Sequence, residues 1–227
     1  MTSVLVTGAN RGIGLEFVRQ YAANGDRIYA CCRTPEKAEI LSAIAAASNG
    51  KVSVHRLDVT SEKDIADLVA ALDGAPLDIL VNNAGIGGDL HKYEPATPEL
   101  WEEVLRTNSI APFRMAWSLR DNLEKGERKI INISSGRGSH GRHRGDGIAY
   151  CASKAALNSA MFGLSVLWKD SNFIIVMFAP GVVITDLNPG GRLTTEFSVG
   201  HMRDLIAGLT PTDSGRYLSY KGKDILW

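Results

Sequence analysis

The chain has 227 residues, 44% of them hydrophobic and 22% charged, which suits one generous soluble core better than two. Its 25 basic and 25 acidic side chains balance to a formal net charge of zero, so no global field draws it to nucleic acid or an anionic membrane. Three cysteines, with Cys31 and Cys32 adjacent, argue against a disulfide framework and fit a reducing cytoplasm.

The opening "MTSVLVTGAN" lacks the basic segment, apolar segment and cleavage site of a signal peptide. "SVLVTG" predicts a first strand, followed by a helix from about Ile13 to Asn24. "DRIYACCR" predicts a second strand. Thr34 is then expected to cap a helix with Pro35 at its first position, running through "EKAEILSAIAAA". "KVSVHRLDV" alternates as a third strand, and Ser61 with Asp64 predicts the N-cap of "EKDIADLVAAL". "LDILVNNAG", "KIINISS" and "FIIVMFAP" read as further buried strands, with helices near Pro98 to Leu123 and Ala149 to Trp168 between them. The apolar run "IIVMFAPGVVI" is broken by Pro-Gly and is too short to span a bilayer. No repeat, linker or low-complexity tract divides the chain. The expectation is a single-domain α/β fold over residues 1–227: a Rossmann-like, doubly wound parallel sheet with helices on both faces. A cofactor half is expected over roughly 1–110 and a catalytic and substrate half over roughly 111–227.

"TGANRGIG" joins the first strand to the first helix. Gly8 can make the tight turn, Gly12 can admit a diphosphate and Gly14 can let the helix pack closely, with the helix N-terminus facing the phosphates. The spacing G-x-x-x-G-x-G differs from the common G-x-G-x-x-G fingerprint. Where NAD enzymes carry an acid after the second strand, this chain has Arg33, and Arg11 lies inside the glycine turn. Two guanidiniums suit a ribose 2′-phosphate, so NADP is expected over NAD.

Two Tyr-x-x-x-Lys pairs occur, Tyr150 with Lys154 and Tyr217 with Lys221. The first opens a helical run, where four residues rise about 6 Å and share a face. The second lies on a predicted strand, where four residues span roughly 13 Å, so the pair cannot act together and Tyr217 is expected to be remote from the chemistry. A phenol of pKa about 10 needs some 4 kcal/mol of extra phenolate stabilisation to work near neutrality. A lysine at about 4 Å contributes on the order of 4 kcal/mol at an effective dielectric near 20. Tyr150 is therefore the expected acid and base.

These residues resemble the short-chain dehydrogenases and reductases over nearly the whole chain. "TGANRGIG" resembles the cofactor turn and "NNAG" the fourth-strand motif. "LDV" looks like the adenine segment, "IINISS" the fifth strand and "PGVVIT" the nicotinamide segment. Within the family, "TGANRGIG", "CCR" and "YKGKDILW" are most similar to the C-factor and sniffer-type carbonyl reductases. The resemblance implies a catalytic set of Asn108, Ser135, Tyr150 and Lys154, with Ser134 the competing serine. Ser135 would hold the substrate oxygen, Lys154 would tune Tyr150 and bind ribose hydroxyls, and Asn108 would order a water. It implies cofactor contacts from Gly8, Asn10, Arg11, Gly12, Ile13, Gly14, Arg33, Asp58, Val59, Asn83, Ala84, Gly85, Tyr150, Lys154, Pro180, Gly181, Val183 and Thr185. The implied function is an NADP(H)-dependent carbonyl reductase of small molecules, commonly a homodimer, with no nucleic-acid or membrane partner and no metal. A signalling or sensor protein of C-factor type that binds NADP(H) with little turnover is the alternative. An extended-type epimerase fits less well, because its glycine spacing and larger C-terminal domain are missing.

The segment "GRGSHGRHRGDGIA" between Ser135 and Tyr150 is longer than in many relatives. Its Arg137, Arg142 and Arg144 suit either an anion site or a solvated, mobile, glycine-rich loop, and the loop is the expectation. A metal held by His140 and His143 lacks a completing ligand cluster.

Overall fold

The computed structural model describes all residues, 1–227. Its seven strands are β1 (Ser3–Thr7), β2 (Arg27–Cys32), β3 (Val52–Arg56), β4 (Ile79–Asn82), β5 (Lys129–Ile133), β6 (Ile174–Ala179) and β7 (Tyr217–Ser219). They form one parallel sheet in the order β3-β2-β1-β4-β5-β6-β7. Strands β1, β4, β5 and β6 are buried along their whole length, as strands covered on both faces must be. The doubly wound fold expected from the sequence is the one observed.

Two compact units interleave along the chain, Met1–Ala84 with Met115–Ile130, and Gly85–Arg114 with Ile131–Trp227. The first contains α1 (Gly12–Ala23), α2 (Glu39–Ala47) and α3 (Glu62–Leu72). Val4 faces Ile28 on one side and Ile79 on the other, and Phe17 and Val18 of α1 are fully buried. The strand order reverses between β2-β1 and β1-β4, the switch point at which doubly wound sheets take their ligands, and the glycine turn begins there, at the carboxyl end of β1. Ser61 caps α3 as expected, its hydroxyl accepting from the Asp64 N–H at 3.1 Å. Thr34 does not cap: Pro35–Lys37 makes only a 3-10 turn, and Ala38, at φ −97° and ψ 60°, separates it from α2.

Along residues 98–124 the single helix expected is broken into α4 (Pro98–Leu105), a π-helical segment (Arg106–Ile110), α5 (Ala111–Ser118) and α6 (Arg120–Glu124). Pro112 explains the first break. Standing four residues after Asn108, it has no N–H to offer that carbonyl, and the ladder widens to π pitch, with Ala111 N–H bonding the Arg106 carbonyl. The second unit also contains α7 (Ile148–Leu167) and α8 (Thr195–Gly208), and within it β7 pairs beside β6, Met177 opposite Tyr217.

Candidate active site

In the first unit the glycine turn is tight for a stated reason. Gly8 has φ +65°, and a Cβ there would come within 3.0 Å of the Ala84 Cα. A Cβ at Gly14 would run into the Gly8 carbonyl oxygen. Gly12, at φ +54°, also lies in the left-handed region. Asn83 bridges the turn through its side-chain N–H groups to the carbonyls of Thr7 (2.9 Å) and Gly8 (3.2 Å). Thr7 was not singled out in the sequence, yet its hydroxyl accepts from the N–H groups of both Asn83 and Ala84 at 3.0 Å. Helix α1 has Arg11 as its N-cap, with no side-chain cap bond and no acid in its first turn, so its positive end is left to an anion. Asn10, Arg11 and Arg33 are exposed, Ile13 is half-buried and Val59 is buried. Asp58 is turned toward its own loop, accepting from the Thr60 N–H (2.9 Å) and hydroxyl (2.7 Å).

The four expected catalytic residues all fall in the second unit. Ser135 lies past the end of β5 in extended backbone, and its hydroxyl accepts from the Arg137 N–H at 3.2 Å. Ser134 points elsewhere, its buried hydroxyl donating to Asn158 Oδ1 at 2.6 Å. The Ser135 hydroxyl acts on the Tyr150 phenol, favouring its charged form. Lys154, one turn along α7, is buried. It donates to the Ile133 carbonyl at 2.9 Å, with Nζ 5.9 Å from the centroid of the Tyr150 ring. Asn108 is fully buried in the π segment. Its side chain takes both backbone groups of Ile86 at 2.9 Å and donates to the Ser153 hydroxyl at 3.0 Å. A Cβ at Gly85 would sit 3.1 Å from Asn108 Oδ1 and 3.7 Å from Lys154 Nζ, so a side chain there would press on the Asn108 amide. Pro180 is buried, Gly181 has φ +88°, Val183 is buried, and Thr185 N–H bonds the Asn188 carbonyl at 3.3 Å.

Burial pushes the Lys154 ammonium down to about 8. Burial also raises the Tyr150 phenol, against the opposing pull of the Ser135 hydroxyl and the Arg137 charge. This corrects the argument from spacing, in which Lys154 alone carried the phenol down. With the ammonium bonded to a carbonyl beneath the ring, desolvation wins and Tyr150 keeps its proton at neutral pH.

Three further residues escaped the sequence reading. Asp89, only 1% exposed, caps α7 from outside: its carboxylate accepts from Ala149 N–H (2.9 Å) and Tyr150 N–H (3.0 Å). Tyr217 is not remote, because its hydroxyl donates to the Ser135 carbonyl from β7. It still cannot act with Lys221, which lies beyond the end of that strand. Asp146 holds Arg137 through both carboxylate oxygens, and with the 3-10 turns Gly136–Gly138 and His140–Arg142 this makes residues 136–147 a pinned segment rather than a mobile hairpin. Glycine is required at Gly138, where a Cβ would meet Asn158 Nδ2 at 2.9 Å. Arg142 and Arg144 remain exposed.

Comparison with known proteins places this geometry. The family model of short chain dehydrogenases matches residues 2–194. The solved carbonyl reductase Sniffer of D. melanogaster is 29% identical, with a TM-score of 0.90 over 100% of both chains. A carbonyl reductase from chicken fatty liver, solved with NADPH bound, is 32% identical with a TM-score of 0.92, covering 100% of this chain and 94% of that one. The C-signal protein of Myxococcus xanthus is 32% identical over 67% of this chain and 93% of its own.

Proposed function

The chain belongs to the short-chain dehydrogenase family, and we propose that within it this protein is an NADP(H)-dependent carbonyl reductase. It would reduce an aldehyde, ketone or quinone to an alcohol, or run the reverse, with Tyr150 as acid and base. The observation that carries this reading is Tyr150 at the start of a helix whose next turn buries Lys154, with Nζ 5.9 Å from the centroid of the phenol ring. The NADPH held by the chicken enzyme supports the choice of cofactor.

The residues fit such a cofactor. The uncapped α1 terminus with Gly8, Asn10, Gly12, Ile13 and Gly14 suits a diphosphate, and exposed Arg11 and Arg33 suit a 2′-phosphate. Asp58 and Val59 would hold the adenine, and Asn83, Ala84 and Gly85 the ribose side. Tyr150 and Lys154 would hold the second ribose, and Pro180, Gly181, Val183 and Thr185 the carboxamide. When bound, the nicotinamide supplies a hydride to the carbonyl carbon or takes it back. The raised phenol of Tyr150 is the proton donor in the reducing direction, and the Ser135 hydroxyl holds the same substrate oxygen. Lys154 stands ready to restore the proton. Asn108 keeps its side chain for Ile86 and Ser153, while its carbonyl, denied an i+4 donor by Pro112, would accept from an ordered water.

NADPH consumption against a panel of aldehydes, ketones and quinones tests the proposal. Turnover of at least one class is expected, with NADPH favoured over NADH by about tenfold or more, as one charged contact gives. The likeness to C-signal favours a second reading, an NADP(H)-binding signalling protein, which NADPH binding without turnover would support. We also propose a homodimer: α7 exposes Phe162, Val166 and Leu167, and Ile110, Phe113 and Trp117 line one further helical face.

A further inference from the structure

We infer that Tyr217, the tyrosine of the second Tyr-x-x-x-Lys pair, is a positioning residue for Ser135: with Asn158 it fixes the chain where it leaves β5 and so sets the direction of the Ser135 hydroxyl. The inference rests on the reading of Ser135 as the group that holds the substrate oxygen. Three successive residues at that exit are each held by a buried side chain. Lys154 donates to the Ile133 carbonyl at 2.9 Å, and Asn158 Oδ1 accepts from the Ser134 hydroxyl at 2.6 Å. Tyr217 donates to the Ser135 carbonyl, which also accepts from the Gly138 N–H at 2.9 Å, so both of its lone pairs are used. Lys154 and Asn158 stand one turn apart on α7 and share a face, whereas Tyr217 comes from β7, beyond β6 in the sheet. The exit of β5 is thus held from a helix and from a strand.

What these contacts fix is a direction. Ser135 is extended, at φ −160° and ψ 147°, and in extended backbone successive side chains point to opposite sides. With the Ser134 side chain tied to Asn158 and the Ser135 carbonyl tied to Tyr217, the Ser135 Cα–Cβ bond lies between two anchors and is aimed away from Asn158. The Ser134 N–H still bonds the Phe178 carbonyl of β6 at 2.8 Å, but Ser135 itself is outside the strand and needs the side-chain hold. Tyr217 is 2% exposed, and burial pushes its phenol up to about 12, so it keeps its proton and remains a donor at every working pH. Its ring packs against Trp227, centroid to centroid 5.9 Å. A phenylalanine at this position would keep that packing and lose only the bond to Ser135.

A double-mutant cycle between Tyr217→Phe and Ser135→Ala tests this, read by single-turnover reduction of the fastest carbonyl at saturating NADPH. Tyr217→Phe should lower the hydride-transfer rate by about tenfold, short of the roughly hundredfold that a misplacement of about 1 Å can cost, with KM for NADPH within about twofold. In the Ser135→Ala background the same exchange should change the rate by less than about twofold, because the hydroxyl it positions is gone. A residue that only supports the fold would slow both backgrounds equally, and that result would overturn the inference. Ser134→Ala, which cuts the arm to Asn158, should slow the protein with Ser135 intact and spare the one without it; it decides the matter if Tyr217→Phe does not fold. Crystal structures of wild type and Tyr217→Phe read the same point without turnover: in the variant the Ser135 side chain should leave its wild-type rotamer or divide between two. An unmoved Ser135 Oγ would overturn the inference. A wild type that reduces nothing, with Ser135 displaced in the variant as expected, would sink the functional reading and leave the positioning role standing.

Discussion

Replacing Asp89 by alanine should remove more stability than any other exchange of one polar side chain in the second unit. Its buried carboxylate accepts from two N–H groups in the first turn of α7, and no other side chain caps that helix, whose N-cap is Gly147 at φ 59°. A hydrogen bond to a charged group contributes roughly 1.5–3 kcal/mol, and a helix cap about 1 kcal/mol. The two bonds share one carboxylate, so Asp89→Ala should cost about 3 kcal/mol, and Asp89→Asn, which keeps one acceptor, about 1–2 kcal/mol. Urea unfolding followed by circular dichroism reads this as a fall in midpoint at constant slope. Because one of the two N–H groups is Tyr150's own, kcat should fall as well, while cofactor affinity is kept. A loss below about 1 kcal/mol in the alanine variant, or an asparagine variant as damaged as alanine, would refute the capping argument.

Arg33→Asp should shrink or reverse the preference for NADPH, because it repels a 2′-phosphate and accepts from a 2′-hydroxyl; unchanged kcat/KM ratios would count against the role of Arg33. Lys154→Met should raise stability at pH 7 by about 2 kcal/mol, since the folded state holds the lysine proton less tightly than the unfolded chain. The sign follows from a folded pKa of about 8 against a model value of 10.5: wild-type stability climbs between those two values, so the gain from methionine should fade over the same window. Tyr217→Phe should cost about 1 kcal/mol for the lost bond to the Ser135 carbonyl, with turnover reduced far less than in Tyr150→Phe. Light scattering at micromolar concentration should report a dimer, and a monomer alone would dismiss the exposed apolar face of α7 as the contact.

What could be read from the sequence was local. The glycine turn, the Ser61 cap and the shared face of Tyr150 and Lys154 depend on residues within a few positions of each other, and the structure places each of them as that spacing requires. What escaped came mostly from contacts between distant segments. Asp89 reaches α7 across 60 residues and Tyr217 reaches Ser135 across 82, and no periodicity carries such information. The strand spacing that separates Tyr217 from Lys221 bears on the pair and leaves the phenol of Tyr217 free to meet Ser135. Counting glycines predicted mobility for residues 136–147, whereas Arg137 and Asp146, nine residues apart, close the segment on itself. The break at Asn108 was legible after all, since Pro112 removes the donor that an unbroken helix needs.

Tyr150 is proposed to pass the proton during carbonyl reduction with NADPH. Single-turnover reduction of the fastest carbonyl by wild type and Tyr150→Phe, each saturated with NADPH, tests it most directly. A hydride-transfer rate lowered by at least about a thousandfold is expected in the phenylalanine variant, at the upper end of general acid catalysis, with NADPH affinity unchanged. A variant that reduces the carbonyl within tenfold of wild type would contradict it.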